Sequence, residues 1–366
     1  MQIARSVHPL PGEHERASRL LTLIDAFSGR RVSVIGDLIA DEFIYGQIER
    51  VSREAPVLIL KYDSTEILPG GAGNAANNVA AFGGRVRLSG VLGRDEAARR
   101  LIKALNGGVE TRRLIRPRDY QTPVKTRILA GGIHSAKQQV VRIDRAAGAI
   151  RDAREAFAAG IDAAINGCDA VLVSDYGSGL VTPALVSRIR GIVTQKRRRR
   201  AVPILVDSRY DLVRYRGLTA CTPNESEVEQ MLRVKINDSV RLLERAGRDI
   251  LKQTRMEAVL ITRGSRGMAL FEPGKPTVHI PIFGSDEVAD VTGAGDTVIA
   301  TMTLALAAGG SFYEAARLAN YAGGLVVMKR GTATVTPDEL RQAVAADHPI
   351  PAERWAQNGP AQGRYR

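Results

Sequence analysis

Short runs of apolar, mostly β-branched residues alternate along this chain with segments of helical period: residues 32–35, then 75–82, 86–92, 96–105, 170–173, 185–193, 204–206 and 258–261. Alternation of this kind predicts an α/β fold, with a mostly parallel sheet covered by helices on both faces. Ligands of such sheets gather beyond the carboxyl ends of the strands. With 366 residues, 44% of them hydrophobic, the chain can bury a sizeable core in one large domain or two smaller ones.

Two regions break the rhythm, about 43–68 and 122–144. In the second, Lys125, Arg127 and Leu129 alternate with Thr126 and Ile128, and Val140, Val141 and Ile143 follow Gln138-Gln139. Both read as antiparallel strands leaving the main sheet as a small β-lid over one edge. Residues 1–30 read as a peripheral arm with one amphipathic helix (Ala17, Leu20, Leu21, Ile24, Phe27), residues 31–346 as the main domain, and 347–366 as a loosely held polar tail. No stretch of eighteen apolar residues occurs and residues 1–15 lack an apolar signal region, so a soluble, cytoplasmic protein without a membrane partner is expected. Cys168 and Cys221 form no CxxC pair, and neither a disulfide framework nor a zinc site is indicated. The net charge of +13 suits a phosphate-bearing partner. Its densest run, residues 196–200, follows an expected helix at 183–194, where cations complement the helix dipole. Aromatic residues make up only 5% and do not interleave with the run, so no nucleic-acid partner is expected.

The sharpest motif is Asp290-Val-Thr-Gly-Ala-Gly-Asp-Thr297, ahead of a small-residue apolar helix at 298–308. Gly293, Ala294 and Gly295 leave backbone N–H groups open at a helix start, which favours a transferring phosphoryl group. Asp296, in the first turn, can take a proton from a hydroxyl aligned with that group. A glycine turn with Asp296 as a plain N-terminal cap fits the same residues. A second cluster, Gly70-Gly71-Ala-Gly-Asn74-Ala-Ala-Asn-Asn78, offers close backbone approach and amides suited to a polyhydroxy compound, or is a tight turn before an Asn-rich helix. Asp37 and Asp41 follow the first strand, as sugar ligands or as turn residues. In Thr222-Pro-Asn224-Glu-Ser-Glu227, Asn224 and Glu227 share a helix face and can hold a hydrated Mg²⁺ that bridges ATP phosphates, or simply cap the helix. Thr262-Arg-Gly264-Ser-Arg-Gly267 is a hairpin turn whose N–H groups and Thr262 hydroxyl can also contact phosphates.

Taken in order, over roughly residues 31–342, these elements resemble the ribokinase-like (PfkB) carbohydrate kinases. The resemblance implies a ribokinase-like three-layer sandwich and an ATP-dependent transfer to a small-molecule sugar or sugar phosphate. It makes Asp296 the base and Gly293, Ala294 and Gly295 the anion hole. Asn224, Thr262, Gly264 and Gly267 would face ATP, with Asn224 and Glu227 serving Mg²⁺ through water. Asp37, Asp41, Gly70, Gly71, Asn74 and Arg142 would face the sugar. Asp290 and Thr292 match positions that bind a monovalent cation such as K⁺ in relatives, or they brace the loop.

Within the family the chain looks most like the kinases that phosphorylate D-glycero-β-D-manno-heptose 7-phosphate at O1, in many bacteria the N-terminal half of a bifunctional ADP-heptose synthesis protein. The matching stretches are Gly36-Asp37 with Asp41, Arg50-Val-Ser-Arg-Glu-Ala-Pro-Val57, Lys137-Gln-Gln-Val-Val-Arg-Ile-Asp144, Ser174-Asp-Tyr-Gly177, Tyr215-Arg-Gly217 with Thr222-Pro-Asn224, and the Asp290–Thr297 block. Arg142 would then meet the 7-phosphate bidentately, or pair with Asp144. Three departures stand out. Ser178 occupies the place of a lysine in Asp-Tyr-Gly-Lys-Gly, Asp207-Ser-Arg209 replaces Asp-Pro-Lys, and Gly70-Gly-Ala-Gly73 has an extra glycine. A cation expected near the bound phosphates is therefore missing; Arg209 supplies it, or the substrate lacks the second phosphate. No nucleotidyltransferase part lies within the 366 residues, so adenylylation is expected of another protein. The alternatives are a kinase of another sugar or nucleoside, or a non-catalytic sugar or nucleotide sensor. Exposed lid edges suggest a homodimer through the lid.

Overall fold

Along Ala170–Asp175 successive side chains face opposite ways, so that Ala170 and Leu172 join one hydrophobic core while Val171 and Val173 join another. The same split recurs at Leu205 against Val206 and at Leu260 against Val259 and Ile261. Strands buried on both faces explain why they read as continuous apolar runs. The computed structural model describes residues 13–131, 137–146, 150–195, 201–284 and 290–347. The basic run 196–200 and the tail beyond 347 lie outside the described residues.

In chain order the first half comprises α1 (Glu13–Asp25), β1 (Arg31–Gly36), β2 (Leu38–Val51), β3 (Leu58–Gly71), α2 (Ala72–Ala81), β4 (Arg85–Val91), α3 (Glu96–Lys103), β5 (Val109–Ile115), β6 (Val124–Gly131), β7 (Gln138–Arg145) and α4 (Arg151–Ile165). The second half comprises β8 (Ala170–Asp175), α5 (Pro183–Gln195), β9 (Ile204–Ser208), β10 (Ala220–Cys221), α6 (Glu225–Leu232), α7 (Val240–Thr254), β11 (Ala258–Thr262), β12 (Met268–Phe271), β13 (Val278–Ile280), α8 (Ala294–Ala308), α9 (Phe312–Val326) and α10 (Pro337–Asp347). Nine strands form the main sheet in the order β13-β12-β11-β10-β9-β8-β1-β4-β5, all running the same way except β12, which is antiparallel to both of its neighbours. Helices α1, α2, α3, α8, α9 and α10 bury their apolar faces on one side, and α4, α5, α6 and α7 on the other.

The helix expected in a peripheral arm is α1, and it is not peripheral. Ala17, Leu20, Leu23, Ile24 and Phe27 are buried in the same core as α8 and α10, and Asp25 pairs with Arg341 of α10.

Strand order reverses between β1 and β8, so a crevice opens beyond their carboxyl ends. The two strands approach so closely there that a Cβ on Gly36 would lie 1.9 Å from the Ser174 carbonyl oxygen, which leaves room for glycine alone. The lid is a separate four-stranded sheet in the order β3-β2-β6-β7. Its outer pairs are antiparallel as expected, but β2 and β6 run parallel. Both leave the main sheet in the same direction from its crevice side, a fact that residue alternation cannot encode. Among the described residues no helix is long and apolar enough to cross a membrane.

Candidate active site

Gly293 caps α8 with a φ of 79°, a left-handed turn, and the space where its Cβ would stand is filled by the Asn74 amide nitrogen, 2.4 Å away. The glycine turn and the asparagine helix, more than two hundred residues apart in sequence, therefore meet. Asn74 Nδ2 donates to Asp296 Oδ2 at 2.8 Å and lies 3.4 Å from the Gly293 carbonyl oxygen. Tyr176, from the loop after β8, donates its hydroxyl to Asp296 Oδ1 at 3.3 Å. Burial lifts the Asp296 carboxyl to about 7, with Asp41 adding to the rise and Asn74, Tyr176 and Lys125 opposing it. A carboxylate so placed is half-charged near neutral pH, the condition a general base needs. Gly295 faces open space on the cleft side.

A cleft of about 470 Å³ opens from this point. It runs past Asp207, Arg209, Asn224 and Glu227, then Thr262, Gly264 and Gly267, to an apolar end at Met268, Ile282 and Val327. All the residues expected to face ATP border it. Asn224 and Glu227 form a reciprocal capping box on α6, with Asn224 Oδ1 accepting from the Glu227 N–H at 2.8 Å and Glu227 Oε2 from the Asn224 N–H at 2.9 Å. Burial pushes Glu227 above its ordinary value, and it pushes Asp207 far up, with Glu227, Asp296 and Asp175 adding repulsion. Thr222 Oγ1, also on the cleft wall, is buried without a hydrogen-bond partner among the described residues.

On the sugar side the expected residues converge, but several are already engaged. Asp37 accepts from the N–H groups of Tyr176 at 2.8 Å and Ser178 at 3.2 Å and from the Ser178 hydroxyl. Burial nonetheless raises its carboxyl. Ser178, standing where a lysine is usual, is thus spent on fixing the loop to Asp37. Asp41 pairs with Arg127 of β6 at 2.6 Å, and a Cβ on Gly70 would strike Asp41 Oδ2. Gly71, with φ 56°, lies against the Tyr176 ring. Arg142 is engaged by a carboxylate: its Nε and Nη2 donate to Asp144 Oδ1 and Oδ2, each at 2.7 Å, on the exposed strand β7. Asp290 accepts from the N–H groups of Thr292 and Gly331, at 2.9 and 3.0 Å, and so braces the loop.

Tyr176 and Lys125 escaped assignment from sequence. Lys125 Nζ lies 4.8 Å from the Tyr176 ring centroid, and Arg209 lies 5.8 Å from that of Tyr210. Neither cation has a carboxylate within ion-pair distance among the described residues. Burial draws the Lys125 ammonium down, as do Arg209 and Arg142.

The model of the pfkB family of carbohydrate kinases matches residues 30–339. The chain belongs to that family. It is accordingly a kinase that transfers phosphate to an alcohol group of a small-molecule sugar, with ATP as the co-substrate that membership implies. Curated relatives include the bifunctional protein HldE of Trichlorobacter lovleyi, 40% identical over 89% of this chain and 65% of that protein, and HldE of Coxiella burnetii strain RSA 493, 40% identical over 90% and 68%. The chain thus spans a little under two thirds of the length of the former. The fold is shared with Arabidopsis thaliana ribokinase complexed with ribose and ATP (TM-score 0.66, 18% identity, covering 87% of this chain and 99% of that one) and with Escherichia coli phosphofructokinase-2 in complex with fructose-6-phosphate (0.68, 16%, 87% and 99%). The ribokinase-like sandwich expected from the sequence is therefore the fold of this family member.

Proposed function

We propose that this kinase transfers the γ-phosphate of ATP to the anomeric hydroxyl of a heptose 7-phosphate, with Asp296 as general base. The observation that carries the reading is the 2.8 Å contact between Asp296 and Asn74, which brings the base to the meeting point of the sugar-side loop and the open glycine turn. A hydroxyl bound there loses its proton to Asp296 Oδ1 or Oδ2 as its oxygen attacks the γ-phosphorus, whose bond to the bridging oxygen breaks so that ADP leaves. The N–H groups of Gly293 and Gly295 face the charge that develops on the phosphoryl oxygens, whereas that of Ala294, expected to be open, donates to the Val291 carbonyl oxygen at 3.3 Å.

Mg²⁺ fits the donor set of the cleft. No group of three His, Cys, Asp or Glu side chains among the described residues is close enough to hold a metal directly. Asp207 and Glu227 repel each other and are suited to holding the water shell of a hydrated ion, and the unpartnered Thr222 hydroxyl supplies a further polar group. The ion's chemistry there is neutralisation of phosphate charge. K⁺ near Asp290 and Thr292 belongs to the same proposal, although both Asp290 oxygens already accept backbone N–H groups.

An acceptor that already bears a phosphate is supported by the HldE relatives, by Lys125 against the Tyr176 ring and by Arg209 on the cleft wall, two cations without carboxylate partners among the described residues. ADP release measured over a panel of sugars and sugar phosphates tests this. Turnover of heptose 7-phosphate, and none of the unphosphorylated heptose, is expected; turnover confined to unphosphorylated sugars or nucleosides sinks the heptose phosphate. We also assign the exposed apolar side chains of the lid, among them Ile48, Val51, Tyr62, Val141 and Ile143, to contact with a second copy. Sedimentation should find a dimer that Val141→Glu weakens; an unchanged dimer removes the lid from the interface.

A further inference from the structure

Behind Asp296, away from the cleft, lies a chain of buried side-chain hydrogen bonds that the mechanism above does not use. Asn74 Nδ2 faces two acceptors, Asp296 Oδ2 and the Gly293 carbonyl oxygen. Asn74 Oδ1 is therefore turned the other way, where it accepts from Asn78 Nδ2 at 3.1 Å. That same Asn78 nitrogen donates to the Asn74 main-chain oxygen at 3.0 Å, which fixes it as the donor end. Asn78 Oδ1 is left to accept from Thr297 Oγ1 at 2.9 Å, the nearer of that hydroxyl's two acceptors, the other being the Gly293 carbonyl oxygen at 3.3 Å. Asn74, Asn78 and Thr297 are almost wholly buried, at 1%, 0% and 0% exposure, so the geometry leaves each of these groups little recourse to water.

An isolated asparagine beside a carboxylate can present either its NH₂ or its oxygen. The NH₂ stabilises the ionised acid, whereas the oxygen accepts from the protonated acid and so favours the form that cannot act as a base. Here the choice is set from two sides, by the Gly293 carbonyl oxygen in front of Asn74 Nδ2 and, more closely, by Asn78 behind Asn74 Oδ1. We propose that Asn78 and Thr297 are positioning residues that lock the Asn74 carboxamide with its NH₂ toward Asp296, so that the proposed base is poised by a relay running between α2 and α8. The inference rests on Asp296 being the base.

Other groups facing the Asp296 carboxyl are Tyr176 from the loop after β8, Asp41 from β2, Lys125 from β6 and Asp207 from β9. None of them belongs to the relay, and all remain in its variants. Loss of one hydrogen bond to the charged form then raises the value at which Asp296 titrates by about one pH unit. The experiment compares wild type with Asn78→Leu, Thr297→Val and Thr297→Ser. It reads the acid limb of kcat/KM against pH and, independently, the ¹³C titration of the Asp296 carboxyl, assigned by its disappearance in Asp296→Asn. The limb and the carboxyl titration should move up together in Asn78→Leu and Thr297→Val, while Thr297→Ser, which keeps the donor, returns both to wild type. A carboxyl titration that stays at the wild-type value in Thr297→Val and in every folded Asn78 variant overturns the relay, whatever happens to the rate. If Asp296→Asn instead retains activity, the base assignment falls, and the carboxyl titration still decides the relay.

Discussion

The two walls of the substrate cleft are built on opposite principles. At the junction of α2 and α8, Asn74, Asn78, Asp296 and Thr297 are buried and satisfy one another, so the reacting end is set before any ligand arrives. Across from it the lid is thin. All eight residues of β7 are exposed, its Arg142–Asp144 pair stands in solvent, and Lys125 leans on a tyrosine ring with no carboxylate partner among the described residues. Buried networks resist change because a half-satisfied one is worse than none, whereas a lid with an exposed outer strand, and with Lys125 held only against a ring, can change what it recognises without unfolding the core. The contrast assigns chemistry to the first wall and acceptor choice to the second.

The largest effect expected is that of Asp296→Asn. Loss of the proposed base should lower kcat by at least about a thousandfold while leaving ATP binding near wild type, as isothermal titration can check. The same change should stabilise the protein. A carboxyl that titrates near 7 when folded but near 4 when unfolded holds its proton more tightly in the folded state, so stability is given up as pH climbs from about 4 to about 7 and is level beyond. Denaturation should therefore find the gain from Asp296→Asn larger at pH 8 than at pH 5, by on the order of 2 kcal/mol. Equal gains at both pH values would mean that Asp296 is not held in a costly ionised state, and the first wall would lose its claim to pre-organisation.

Much of this was legible before any coordinates. The central sheet announces itself because strands buried on both faces must be apolar throughout, as at 170–173. Gly293, Asn224 and Glu227 were readable because turns and caps are local chemistry. The relay was not, since Asn78 and Thr297 are 219 residues apart and no spacing rule links them. Tyr176 and Lys125 were hidden for a related reason: a tyrosine after a strand and a lysine in a lid strand become a pair only when β6 is laid across the crevice. The role of Ser178 was legible only by half. A missing lysine could be seen, but not that the serine in its place is bonded to Asp37.

A middle-sized effect tests the second wall and the cation that faces it from the end of β9. Lys125→Ala in the lid and Arg209→Ala after β9 should each raise KM for a phosphorylated acceptor by about tenfold or more, with kcat for an unphosphorylated analogue little changed. An equal loss for both acceptors would move these cations from acceptor choice to the ATP phosphates, where Arg209 borders the same cleft.

The smallest effect belongs to Arg142, and it separates the two cations from their paired neighbour. Its guanidinium is held bidentately by Asp144, with the two side chains 36% and 54% exposed. Exposed pairs of this kind contribute within about 1 kcal/mol, so Arg142→Ala should leave the denaturation midpoint nearly unmoved. Because the Nε–Nη2 fork is held by Asp144, a phosphate could take that fork only by displacing the carboxylate, and the KM for the phosphorylated acceptor should rise by less than in Lys125→Ala. A larger rise in Arg142→Ala, accompanied by tighter acceptor binding in Asp144→Ala, would show that the pair opens to the ligand. The lid's anion site would then centre on β7 rather than on β6.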